Sequence, residues 1–221
     1  MKKKLIVLFM ILFSKILLAQ QSSIQNEVEL DQKLLIEDEM GVNHSLREFS
    51  AHSFLLVPVY TKCRSTCPLI IKKLEHDLPL SGADINNYRV LIFSFDSQDS
   101  SKDLKHFREM HQIPPLWMIA RATPLTTTKI LQTLGIRTVL DPVTQEFAHP
   151  DVVSILGPGL WGNKLLNGSD ISPATLKAEL LSANQHKNGI SKEMLGYLLP
   201  IGILGILFSV FFFSNRWVRA S

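Results

Sequence analysis

The chain contains two cysteines, and they stand four residues apart in Tyr60-Thr61-Lys62-Cys63-Arg64-Ser65-Thr66-Cys67-Pro68. Thiols at this spacing can exchange electrons as a dithiol and a disulfide, or grip a soft metal such as copper. A purely structural disulfide is the plain alternative for an exported protein, although a bridge over so small a loop constrains the unfolded chain weakly. A strand-like apolar run, Phe54 to Tyr60, delivers Cys63 at its C-terminal end. Beyond the pair, Pro68 to Leu78 carries Leu69, Ile70, Ile71 and Leu74 on a helical stripe, and Pro68 suits a first-turn position where its missing N–H costs nothing. Cys67 then falls at a helix N-terminus, where the dipole favours a thiolate. Arg64 would favour it further by charge, unless it is simply a solvated loop residue. Pro58 is an awkward strand member that requires either a bulge or a neighbour leaving its position unpaired.

The surrounding elements alternate strand and helix, the pattern of an α/β domain. Arg89 to Phe95 reads as a second buried strand and Lys102 to Gln112 as a helix with Leu104, Phe107 and either Met110 or His111 inward. Leu116 to Ala120 is a further strand, and Thr126 to Leu134 a short helix stopped at Gly135. Val152 to Leu156 and Leu160 to Leu166 form a hairpin about Gly157-Pro158-Gly159. A last helix begins with Ser172 as N-cap and Pro173 at N1, and places Leu176, Leu180 and Leu181 on one face.

The two ends speak to compartment. Three lysines followed by the short apolar run Leu5 to Phe13 and then Ala19 read as a signal peptide over residues 1–19, with an uncleaved anchor as the alternative. Residues 194–214 are apolar and free of charge, and about 20 such residues span a bilayer. Arg216 and Arg219 follow directly, which assigns the tail, 215–221, to the cytoplasm. The expected arrangement is therefore an exported domain over 20–183, a linker over 184–193, and one membrane span, with the domain on the periplasmic side. Four of the 23 basic residues belong to the leader and two to the tail, leaving 17 against 20 acidic ones, a net charge of −3. The basic balance of the whole chain thus says nothing of nucleic acid, and no nucleotide or phosphate motif is present. Roughly 170 residues suffice for one core. Asn43-His44-Ser45 and Asn167-Gly168-Ser169 match the glycosylation sequon, a pattern common by chance.

In three landmarks the chain resembles the Sco/SenC family, thioredoxin-like copper proteins that help assemble cytochrome oxidase. Tyr60 to Pro68 is similar to the family's Y-T-x-C-x-x-x-C-P loop; Ser94 to Asp99 is similar to its S-x-D-P-x-x-D segment, with Ser97 in place of the proline; and His149 stands just before a strand, where the family supplies its metal-binding histidine. The likeness extends over about residues 30 to 183. It departs at Ala148-His149-Pro150, where the family usually has Asp-His-Ser, and in placing the anchor at the C-terminus. The resemblance implies a thioredoxin-like fold, a central mixed sheet flanked by helices, with copper held by Cys63, Cys67 and His149. Asp96 is the candidate for tuning that site from behind the ligands, whereas Asp99 suits turn or N-cap chemistry. The implied function is a membrane-anchored copper metallochaperone serving a respiratory oxidase subunit, with a copper donor chaperone as a further partner. A thiol-disulfide oxidoreductase that reduces partner cysteines before metallation, working through Cys63 and Cys67, is the alternative, although its enzymes usually space the pair as C-x-x-C. A copper or redox sensor is a third.

Overall fold

The computed structural model describes residues 28–185. The signal peptide, the membrane span and the tail expected from sequence lie outside the described residues, as does all of the expected linker beyond Gln185. Among the described residues, no helix is long and apolar enough to cross a membrane.

In chain order the elements are β1 (Leu35–Asp38), β2 (Asn43–Ser45), β3 (Ser53–Val59), α1 (Thr66–Leu80), β4 (Tyr88–Ser94), α2 (Ser101–His111), β5 (Met118–Arg121), α3 (Pro124–Thr133), β6 (Val139–Leu140), β7 (Phe147–Ala148), β8 (Val152–Gly157), β9 (Trp161–Asn167) and α4 (Pro173–Gln185). Seven strands form one mixed sheet in the order β2-β1-β5-β4-β3-β8-β9, and β6 and β7 form a separate ribbon. The pairs β3–β4 and β4–β5 are parallel, while β8 runs antiparallel to β3. This is the α/β, thioredoxin-like arrangement expected from the sequence.

All seven residues of β3 are buried, as a strand covered on both faces requires. Phe54, Leu55, Leu56, Phe93, Leu91 and Phe107 lie among the fully enclosed side chains. Helices α1 and α4 pack on each other and against β3 and β8, and α2 lies on β5 and β1. Pro58 has a simple resolution. Val59 turns its carbonyl toward the β4 side, where the Phe95 N–H donates to it, so by strand alternation the nitrogen of Pro58 faces β8. There the ladder has already ended, at Leu56 opposite Ser154.

Several sequence expectations shift. Leu69 and Leu181, expected inward, are exposed, and Met110 is exposed while His111 packs edge-on against Phe107 at 4.5 Å between ring centres. In each case the helical stripe is narrower than the run of apolar residues, and the strand expected from Leu116 begins only at Met118, leaving Leu116 exposed. The hairpin β1–β2 escaped the sequence reading because its strands are short and only partly buried, so no clean alternation marks them. Local polar bonds hold it: the Asp38 carboxylate accepts from the N–H groups of Met40 and Val42 and faces His44 Nε2 at 3.0 Å, while His44 Nδ1 lies 2.9 Å from Glu48. Gly135 adopts a left-handed φ of +71° just past α3, as the expected stop requires.

Gly157 closes β8 directly beneath the end of α4, where an added Cβ would collide with the backbone carbonyl of Ala183. That atom belongs to a helix and cannot swing aside. Gly157→Ala is therefore expected to destabilise the fold by about 1–3 kcal/mol, the usual range for overpacking, read as a lower denaturation midpoint with an unchanged slope.

Candidate metal centre

Cys63 follows the end of β3 through a turn in which its N–H donates to the Tyr60 carbonyl at 3.0 Å. Cys67 is the second residue of α1. Ser65, the residue preceding the helix, makes no side-chain cap, so the first amides are left to serve another acceptor. One of them, the Cys67 N–H, donates to Cys63 Sγ at 3.4 Å. Both thiols are free and both are buried.

His149 arrives from the far side of the sheet. Because β8 is antiparallel to β3, the start of β8 lies beside the end of β3, and the residue just ahead of β8 is carried to the cysteine loop. His149 Nε2 stands 3.7 Å from Cys67 Sγ, and the two sulfurs and one ring nitrogen all lie within 4.8 Å of one another. The sequence brings these three residues forward as candidates; the fold places their donor atoms together.

The ring is oriented from three sides. Its Nδ1–H donates to the Pro150 carbonyl at 3.1 Å; a carbonyl can only accept, so in the neutral imidazole the Nε2 lone pair is left facing the sulfurs. Tyr60 meets the ring edge-on at 5.8 Å and Phe95 at 5.3 Å. Phe147 of β7 packs on the same two rings at 5.3 and 5.2 Å, which seats the β6–β7 ribbon against the body. The acceptor that orients the ring at Ala148-His149-Pro150 is thus a backbone carbonyl rather than a side chain.

The electrostatics make one thiolate. A hydrogen bond from Cys67, together with bonds from His149 and from the amides of Cys67 and Ser65, pulls the Cys63 thiol down to about 3. Cys67 moves the other way: the bond it gives Cys63, its burial, and the adjacent negative charge all push its own ionisation up. His149 is raised by its bond to Cys63, with the Pro150 carbonyl contributing. His149 Nε2 lies 3.7 Å from Cys67 Sγ, while the interaction that raises it is with Cys63; the three groups form one proton-sharing unit that carries a single thiolate. Arg64, proposed for that task, is exposed on the rim. One equivalent of thiolate absorbance is therefore expected throughout about pH 5 to 9, with loss only as pH falls toward 3, whereas an ordinary thiol would ionise near about 8.5. An ultraviolet pH titration of the reduced protein, with Cys63→Ser as blank, reads this directly.

Asp96 and Asp99 make different contacts from those expected of them. The Asp96 carboxylate accepts from the Gln98 N–H at 2.8 Å and lies 3.7 Å from Lys62 Nζ, so it braces its own turn and reaches the cysteine loop only through a well-exposed lysine. Asp99 is not the cap of α2; Ser100 is. Instead Asp99, 2% exposed, accepts from the N–H of Thr61 at 2.8 Å, from the Thr61 hydroxyl at 2.6 Å, and from Ser94 Oγ. Thr61, half-buried in the Y-T-x-C motif, has no sequence signal for this role, since a threonine hydroxyl gives no sign of a partner 38 positions away.

Fold and site together define a thioredoxin-like domain with a dithiol and an imidazole at the end of its central strand. Solved structures share the fold. A proposed electron transfer protein from Aquifex aeolicus is 27% identical, with a TM-score of 0.67 over 72% of this chain and 94% of that one. ScoI of Bradyrhizobium japonicum, solved with copper bound, is 16% identical, with a TM-score of 0.59 over 68% and 96%. BsSco, described as a member of the Sco family of cytochrome c oxidase assembly proteins with a disulfide switch, is 20% identical, with a TM-score of 0.58 over 72% and 96%. The chain thus resembles the Sco/SenC proteins in fold as well as in motif. No protein-family model matches it, and no curated protein matches it by sequence.

Proposed function

We propose that this chain is a copper metallochaperone that carries one copper ion between Cys63 Sγ, Cys67 Sγ and His149 Nε2 and passes it to a respiratory oxidase subunit. The convergence of two sulfurs and one correctly presented imidazole nitrogen within 4.8 Å carries the reading. Thiolates are the soft donors copper(I) prefers, and the imidazole makes copper(II) acceptable as well. Copper bound to solved Sco proteins of the same fold supports this choice of metal. A cargo site needs to release what it holds, and a site with only three ligands, of which His149 is partly exposed, allows ligand exchange with a recipient offering more. The domain is tethered to the membrane through residues 194–214 and faces the periplasm. Confinement to the membrane raises the effective concentration of a membrane-bound recipient.

The test is titration of the reduced protein with copper(I) and copper(II), recording stoichiometry together with the absorption spectrum. One tightly held ion per chain, with a thiolate charge-transfer band for copper(II), is the expected result; absence of specific binding by folded, reduced protein sinks the proposal. Thiol-disulfide exchange is the second reading, favoured by the depressed Cys63 thiol beside a protonated partner, the usual preparation for attack on a disulfide. The proposed electron transfer role of the Aquifex relative fits it too. Turnover with a disulfide substrate, without copper, would decide for it.

A further inference from the structure

We infer that Asp99 is the positioning residue of the dithiol, acting through Thr61 to fix the point at which the cysteine loop leaves the sheet. The loop has two ends. Cys67 is held by α1, whose hydrogen bonds define its place, but Cys63 hangs between a strand end and a helix start. Thr61 is the second residue beyond β3, and both its N–H and its hydroxyl converge on one buried carboxylate. Two donors from a single residue fix orientation as well as position. The carboxylate is itself held by Ser94 Oγ and lies in the turn whose Asp99 N–H donates to the Asp96 carbonyl, so the loop is tied to β4, the neighbour of β3. With Thr61 pinned, the turn from the Tyr60 carbonyl to the Cys63 N–H follows, and Cys63 Sγ is presented to the Cys67 amide. The neighbouring Lys62–Asp96 contact, longer and solvent-facing, is a far weaker tether.

Preorganised donors bind a metal without first losing loop freedom, and close thiols held in place have a high effective concentration toward each other. The inference rests on the reading of Cys63 and Cys67 as the working pair, and the test has one arm that needs no copper. Three variants of the full chain are compared: Asp99→Ala, which removes both tethers; Thr61→Val, which is isosteric and removes only the hydroxyl; and Thr61→Ser, which keeps both donors. The first readout is copper(I) affinity by competition with a chelator. The second is the equilibrium with glutathione, in which the dithiol is oxidised to a disulfide while one glutathione disulfide is reduced to two glutathiones.

Asp99→Ala is expected to lower copper(I) affinity by about 10–100-fold, the range for groups that orient ligands from behind. Thr61→Val is expected to weaken both copper binding and intramolecular disulfide formation several-fold, with Thr61→Ser within about twofold of the parent. Should Asp99→Ala not fold, Thr61→Val decides. A glutathione equilibrium unchanged in folded Thr61→Val overturns the inference. A parent protein that holds no copper removes the chaperone reading, and the glutathione arm still decides the role of Asp99.

Discussion

Replacing either Cys63 or Cys67 by serine is expected to abolish tight copper(I) binding. A serine hydroxyl is a hard, protonated donor, and what remains is one sulfur and one imidazole, a set that copper(I) holds far less strongly than a chelating dithiolate. Losing a group that merely orients a ligand costs about 10–100-fold, so loss of a ligand should exceed about 100-fold. His149→Ala is the informative contrast. Both sulfurs stay on their loop, so copper(I) affinity should change little, whereas copper(II), which needs the nitrogen donor, should weaken by more than about 100-fold. Competition with chromophoric chelators for each oxidation state measures both. Equal copper(II) affinity in the parent and in His149→Ala would remove the imidazole from the site and leave a dithiol alone. Each serine variant stays close to the parent in volume, and the tightly held turn from Tyr60 to Cys63 does not depend on the sulfur, so the fold should survive the exchange.

Phe54→Ala is expected to have the largest effect on stability. The ring is wholly enclosed, packs at 4.7 Å against Phe49, and sits on the central strand opposite Arg89 on one side and Leu156 on the other. Its removal leaves a cavity that β3 cannot collapse to fill, because neighbours on both sides hold the strand in register. A Phe-to-Ala change at such a site costs about 3–5 kcal/mol, against a total of about 5–15 kcal/mol for a typical domain. Urea unfolding of the reduced protein should show the midpoint fall with little change in slope. Val143→Ser, at a position 88% exposed on the outer ribbon, should lie within about 0.5 kcal/mol of the parent. A Phe54→Ala loss below about 1 kcal/mol would mean that the core around β3 relaxes freely, contrary to its close packing.

The two results probe different ends of one strand. Phe54 anchors β3 in the core, and six residues on, Tyr60 begins the loop that carries the thiols. A strand buried over its whole length transmits that rigidity to its end, which is why the site is built on β3 rather than on a surface loop.

Much of this was legible in the residues. The β3-loop-α1 unit could be read from an apolar run, a Cys-x-x-x-Cys-Pro segment and a helical stripe, because strand, turn and helix are contiguous and each follows local periodicity. The stop of α3 at Gly135 and the β8–β9 hairpin were readable for the same reason. The β1–β2 hairpin was not, since its strands owe their existence to pairing with β5 and to a local web of polar bonds around Asp38 rather than to an apolar pattern. The division of labour between Asp96 and Asp99 was likewise invisible: two aspartates three residues apart in one turn differ only in which way each side chain faces.

By itself the sequence determined that two thiols meet at a strand-to-helix junction, because residues four apart cannot be far apart and the helix N-terminus that favours a thiolate is next in the chain. Only the tertiary structure decided what joins them. His149 lies 82 residues beyond Cys67, and Asp99 38 residues beyond Thr61. Their arrival depends on β8 pairing antiparallel to β3 and on β4 pairing parallel to it, contacts fixed by burial of the whole sheet, which no local spacing encodes.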